Sequence, residues 1–155
     1  MHRELTTEEM KEVLAVEALG HLGCTDGERP YIIPMAFSYA NGILYGQTTE
    51  GKKTDMLRGN PHCCFQIGSS KGFMWRSVLC EGEFEELNFE ELNDPESIEA
   101  VRALTKRLSV IQDIVGIDIE FSDSNIPKPL KINGKQSTLF RIVITTMSGV
   151  GGKSA

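Results

Sequence analysis

The sequence predicts a small antiparallel β-barrel whose openings are covered by helices. Two observations carry this: the strand-like runs of the first half are joined by turns, and a single long helical stripe comes only after them. A doubly wound parallel sheet would need helices of about ten or more residues between successive strands, and the early connections here are far too short.

The elements follow in order. Thr6-Thr7-Glu8-Glu9 reads as a capping box, after which Met10, Val13, Leu14 and Ala18 share one helical face that Gly20 can end. His21 to Thr25 reads as a first strand, Asp26-Gly27 as its turn, and Tyr31 to Tyr39 as the returning strand. Asn41-Gly42 makes a second hairpin, and Ile43 to Lys53 runs out of it into a short helix, Lys52 to Arg58, that Gly59, Asn60 and Pro61 stop. Cys63 to Ile67 is a further strand, Gly68 to Gly72 a flexible loop, and Trp75 to Leu87 a long strand. In its second half Cys80, Gly82 and Phe84 alternate with Glu81, Glu83 and Glu85, so one face is dry and the other wet. Asp94-Pro95 opens a helix whose stripe of Ile98, Val101, Leu104, Thr105, Leu108 and Ile111 runs to Val115 or Gly116. From Asp118 to Gly134 the signals weaken: Pro127 and Pro129 argue for an irregular connection, and Asn133-Gly134 for a turn. Thr138 to Thr146 is the last strand. The count is five or six strands in one domain, residues 1–148, followed by a glycine-rich flexible tail, residues 149–155.

The chain has 155 residues, a formal charge of −6 and a pI near 5.1. An acidic balance excludes broad nucleic-acid binding by a basic surface, so any phosphate site must be local. No apolar run approaches a membrane span, and the amino terminus lacks the basic-then-apolar plan of a signal peptide, which makes the cytoplasm the default location. Cys24, Cys63, Cys64 and Cys80 have no CxxC spacing and read as reduced, structural residues; no metal site is expected.

The chemistry concentrates where the second hairpin meets its helix. Thr48 and Thr49 offer hydroxyls, Gly51 lets backbone approach closely, Lys52 and Lys53 add charge, and a helix start presents unpaired N–H groups and a positive dipole end. Such an arrangement holds a phosphate, although a solvated hairpin end has the same composition. Pro34 cannot donate within its strand and marks an edge or bulge, where the backbone of Pro34, Met35 and Ala36 can meet the polar edge of a flat heterocycle. Trp75 fits a core, an interface or a ring-stacking role alike, Arg76 can reach an anion or pair with nearby carboxylates, and Ser77 can reach an anion held by the lysines. His21 and His62 open strands. Ser/His/Asp order, HExxH, GxGxxG and GxxxxGK[ST] are all absent, and the carboxylates from Glu81 to Glu96 read as a solvated face.

The order of PYIIPMAF, YGQTTEGKKTDMLRGNP, CCFQI and WRSVLCEGEFEEL resembles the pyridoxamine 5′-phosphate oxidase-like flavoproteins, and within them the 5-nitroimidazole-resistance proteins. The resemblance implies a mainly β (α+β) fold, a six-stranded antiparallel split β-barrel with flanking helices, forming a homodimer with FMN at the subunit interface. By position it lays the isoalloxazine along Ile33, Pro34, Met35 and Ala36 and the ribityl and phosphate along Gln47 and Thr48. The phosphate then falls to Lys52 and Lys53, with Ser77. The basic residue that opens the oxidase's first flavin segment has no match at Tyr31 or Ile32, and its carboxy-terminal arginine segment is missing, so vitamin B6 synthesis is disfavoured. The function implied is an FMN-dependent reductase passing electrons from a nicotinamide cofactor to a small oxidised molecule, nitroaromatics among the candidates, with His21 as the one catalytic side chain nominated near the ring. The alternatives are a haem-binding protein on the same scaffold, with His21 or His62 as ligand, and a flavin-binding dimer without turnover. Relatives that bind the deazaflavin F420 share the scaffold.

Overall fold

The structure, a computed structural model, describes residues 2–88, 90, 92–116, 118–121 and 129–154. Strand β1 (His2–Glu4) leads into helix α1 (Thr7–Val16), whose amino end is capped as the sequence predicts: the Thr6 hydroxyl accepts from the Glu9 N–H at 3.2 Å. Met10, Val13 and Leu14 bury its apolar face. The helix ends at Val16 and not at Gly20, because Leu19 and Gly20 already belong to strand β2 (Leu19–Thr25). Gly20 serves there as a gap: a Cβ at that position would lie 2.2 Å from the Phe65 ring.

Strand β3 (Pro30–Ala36) returns antiparallel to β2, and the Asp26 carboxylate ties the turn between them by accepting from the N–H groups of Glu28 and Arg29, each at 2.9 Å. The strand expected to run unbroken from Tyr31 to Tyr39 instead breaks at Phe37 and resumes as β4 (Ser38–Ala40). Phe37 makes the corner: its N–H donates to Ala18 O at 3.1 Å, its carbonyl accepts from Arg107 at 2.5 Å, and its ring packs edge-on to Phe65. Asn41 and Gly42, at φ 49° and 78°, form the tight turn into β5 (Ile43–Thr49), which the positive φ of both residues suits. Helix α2 (Lys52–Gly59) follows and pushes Met56 and Leu57 into the barrel core.

Strand β6 (His62–Lys71) extends through the segment expected to be a loop; only Gly72 and Phe73 turn before β7 (Met74–Glu86), which alternates as predicted with Val78, Cys80, Gly82 and Phe84 inward. Helix α3 (Pro95–Val115) has Asp94 as its cap, accepting from the Ser97 N–H at 2.9 Å, and Gly116 in the left-handed conformation at its end. Short strands β8 (Ile119–Phe121) and β9 (Pro129–Ile132) pair with each other where an irregular connection was expected; Pro127 lies outside the described residues. Strand β10 (Lys135–Lys153) is far longer than Thr138 to Thr146.

The glycine-rich end is therefore a strand and not a tail: Gly149 to Lys153 pair with Val78 to Met74, and Gly152 pairs with His2. The glycines are there for close approach, since a Cβ at Gly149 would lie 3.0 Å from Leu5 and Met10, and one at Gly151 2.8 Å from Leu5.

The sheet runs β3-β2-β6-β7-β10-β5-β4. Its two edge strands, β3 and β4, are consecutive in the chain and meet at Phe37, so the sheet has to curl until its edges face each other. The result is an antiparallel split barrel. Among the described residues ten strands are counted instead of six, because short pieces at the ends and under α3 add to the six main ones. One apolar core fills the barrel around Leu14, Leu22, Phe37, Phe65, Phe140 and Ile142; a second lies under α3 around Tyr45, Val101, Leu104 and Leu139. All four cysteines are free, and burial pushes the Cys63 and Cys80 thiols up to about 12, which suits inert structural roles. Among the described residues no helix is long and apolar enough to cross a membrane.

Candidate functional site

A cleft of about 370 Å³ opens at the split, between the free edge of β3 and strand β5. Strand β3 supplies Ile33, Pro34, Met35 and Ala36, β5 supplies Gln47, Thr48 and Thr49, and α2 supplies Lys53. These eight of the residues singled out in the sequence come together. Because β3 pairs only with β2, its other edge leaves backbone groups turned toward the cleft, and Pro34 brings no N–H to that edge.

Leu19 of β2, the ladder partner of Ala36, extends the β3 side, and the opposite wall is aliphatic: Leu108 and Ile111 of α3, Ile119 of β8 and Ile132 of β9. Sequence reasoning assigned Leu108 and Ile111 to a packing stripe, and no local signal marks them as cleft residues. Helix α3 is held over the split by Ser38, whose hydroxyl donates to Ala100 O at 2.6 Å, and by Arg107, which donates to Phe37 O and to Ala15 O at 2.5 and 3.2 Å.

Lys53 is half-buried at the polar end. Its ammonium donates to the Thr49 hydroxyl at 3.5 Å, and among the described residues no carboxylate lies within ion-pair reach of it. Burial first, and then the like charge of Lys135, holds its pKa below the ordinary lysine range. Lys135, at the start of β10, is the cation that the sequence reading missed; a local motif around Thr48 to Lys53 cannot reveal a residue brought in from the far end of the chain. Gln47 is buried and donates to Ser137 Oγ at 2.8 Å, which fixes the side of the cleft beside Thr48. The start of α2 is braced by Thr54, whose hydroxyl accepts from Gly51 N–H at 2.9 Å.

Other nominated residues lie elsewhere. Gly51 sits at the α2 cap and Lys52 turns away, its ammonium 5.3 Å from the Tyr31 ring centroid. Ser77 accepts from Gln66 at 2.9 Å, and Gln66 in turn contacts the exposed His21 Nδ1 at 3.3 Å, so these three form a polar row across β2, β6 and β7 outside the cleft. His62 is exposed, 3.6 Å from Glu83. Arg76 takes the ion-pair option, 2.9 Å from Glu12, and Trp75 lines a separate groove. Among the described residues no histidine or carboxylate lines the cleft, and no metal-ligand cluster occurs.

The fold and this site define a class: a split-barrel protein whose edge cleft joins an aliphatic wall and a bare strand edge to one cationic pole. The profile of the pyridoxamine 5′-phosphate oxidase family matches residues 6–149, and this chain belongs to that family. An uncharacterized protein of Rhizobium meliloti (strain 1021) is 31% identical over 106 residues, spanning 68% of this chain and 70% of that one. The crystal structure of an FAD-binding protein from Mesorhizobium loti is 25% identical and superposes with a TM-score of 0.74 over 97% of this chain and 96% of that one. A proposed 5-nitroimidazole antibiotic resistance protein from Bacteroides thetaiotaomicron, 18% identical, has the same fold with a TM-score of 0.65 over 97% and 87% of the two chains.

Proposed function

We propose that the cleft binds a flavin nucleotide, FMN in the first instance, and that the protein is a flavin-dependent reductase of small oxidised molecules, nitroaromatics among them, drawing electrons from a nicotinamide cofactor. The observation that carries this reading is Lys53: a half-buried cation beside a second cation, with no carboxylate within ion-pair reach among the described residues, at the polar end of the cleft. A phosphate monoester supplies the missing charge, and Thr49 and the first N–H groups of α2 supply hydrogen-bonding partners around it. The donor set fits the rest of the group as well. The free edge of β3 can meet the polar edge of a flat heterocycle, Gln47 and Thr48 flank a hydroxylated chain, and the aliphatic wall excludes water from a ring face.

A bound flavin would supply the hydride and electron transfer, and the protein's part is to bind, orient and exclude water. The described lining, which holds no histidine or carboxylate, is compatible with that division of labour. Ser77 lies outside this chain's cleft, so in this proposal it reaches a phosphate only from a second copy, with the exposed Ile32, Leu79 and Val150 contributing to the homodimer contact. The Mesorhizobium relative makes FAD the first nucleotide to compare with FMN. A haem reading draws no support from the geometry, because neither His21 nor His62 lines the cleft.

The visible spectrum of the purified, desalted protein and its titration with FMN and FAD test the proposal. Flavin bands, or saturable uptake that weakens in Lys53→Ala, support it. A Soret band, or no chromophore and no uptake of either nucleotide, overturns it.

A further inference from the structure

A second groove, about 410 Å³ in volume, shares no lining residue with the cleft. It forms where β1, the first residues of β7 and the last residues of β10 come together. Leu5, Met74 and the half-buried indole of Trp75 give it an apolar floor, and Gly152, paired with Trp75 across the ladder, leaves backbone where a side chain would otherwise stand. Its charged lining is all of one sign, Arg3, Arg76 and Lys153, with His2 beside them and no carboxylate among the described lining residues. In a chain of net charge −6 a wholly basic lining is a local departure from the average surface.

The three cations are not equivalent. Arg3 is held on Glu9 at 2.8 Å and Arg76 on Glu12 at 2.9 Å, which compensates their charge and fixes their planes while leaving guanidinium N–H groups unspent. Lys153 is exposed and makes no ion pair or side-chain hydrogen bond among the described residues, so the groove keeps one uncompensated positive charge beside an aromatic face. An aromatic face with apolar side chains suits a flat ring, and a free ammonium beside oriented guanidinium groups suits a carboxylate.

We propose that this groove is a binding site for a planar aromatic carboxylate, with the ring against Trp75 and the carboxylate at Lys153. The site shares no lining residue with the cleft of its own chain.

Trp75 is the one tryptophan in the chain, so its emission reports this groove directly. The probe is 2-naphthoate, with 2-naphthalenemethanol as its uncharged counterpart, titrated calorimetrically into the full chain while the Trp75 emission is followed. The expected result is saturable naphthoate binding that shifts that emission, persists in saturating FMN, and weakens about three- to fivefold in Lys153→Ala, the scale of one exposed charge contact. Lys153→Ala makes no contact whose loss would unfold the protein, and an unchanged melting temperature verifies that. Trp75→Leu, with a melting curve like the wild type, is expected to lose most of the affinity. The proposal is overturned if naphthoate does not bind, if the alcohol binds as well as the acid, if Lys153→Ala binds equally tightly, or if FMN displaces the probe.

Discussion

The two ends of α2 handle positive charge in opposite ways. At the carboxyl end Arg58 grips Glu50 with two N–H groups, each at 2.7 Å, and reaches Glu86 at 2.5 and 3.1 Å, while Thr138 donates to Glu50 at 2.8 Å. The guanidinium pKa is raised, and the Arg58 partnership holds the Glu50 carboxyl down at about 2. At the amino end Lys53 has one long contact to Thr49 and a like-charged neighbour, and its pKa is lowered. A cation caged by its own carboxylates serves the fold. A half-buried cation with no such partner weakens the empty protein and gains its compensation from an anion that arrives from outside.

The sharpest way to break this comparison is charge reversal at the amino end. Lys53→Glu is expected to weaken FMN binding by about 100-fold or more, because it removes a charge-assisted contact and adds repulsion. Quenching of flavin fluorescence on titration measures it, and a change of under about threefold would mean that the phosphate is held elsewhere. The same loss of charge at the carboxyl end should separate the two roles: Arg58→Ala lowers the melting temperature and leaves FMN affinity unchanged. If uptake falls with it, the network at that end is part of the site.

Lys53→Met sharpens the contrast further. It is expected to lose nucleotide binding yet melt slightly higher without ligand, by about 0.3–0.5 kcal/mol once solvent screening of the half-buried charge is allowed for. The sign follows from the lowered folded-state pKa: the penalty of the charged form is present at neutral pH and is relieved as pH rises through that pKa, so the Met variant's advantage should shrink in alkaline buffer. Glu50→Gln gives the smallest and most pH-bound effect. The folded pKa of Glu50, about 2, lies below its unfolded value, so the carboxylate stabilises above the ordinary carboxylate range and that contribution is lost as pH falls toward the folded value. Melting curves of wild type and variant should differ at pH 6 and converge near pH 2, and a gap that stays constant with pH would remove Glu50 from the ledger.

The parts of the molecule that were legible in the sequence are those written locally. The Thr6 cap, the Asn41-Gly42 and Asn133-Gly134 turns, the Glu81 to Glu85 alternation and the Asp94 to Gly116 helix all rest on neighbours within a few residues, and the structure has each of them. The misses are long-range. Phe37 breaks a strand because Ala18 and Arg107 claim its backbone, and neither is visible from Tyr31 to Tyr39. Gly149 and Gly151 carry the composition of a tail, but they are small because Leu5 presses on them from the other end of the chain.

The site divides along the same line. The residues on β3, β5 and α2 were accessible as a hairpin and a helix start, and they do meet at the cleft. Lys135 and the wall of Leu108, Ile111, Ile119 and Ile132 were not, since they come from α3 and the strands after it and reach the cleft only through the tertiary fold. His21 was nominated by its place after the first helix, yet period-two alternation along β2 sends it to the outer face, where it meets Gln66.

The most direct test of the central claim, that Lys53 holds a nucleotide by its phosphate, compares riboflavin with FMN on wild type and Lys53→Met. The account predicts that wild type binds FMN far more tightly than riboflavin and that this gap collapses in the variant through loss of FMN affinity alone. Equal affinity of wild type for the two flavins, or a gap that survives the substitution, would contradict it.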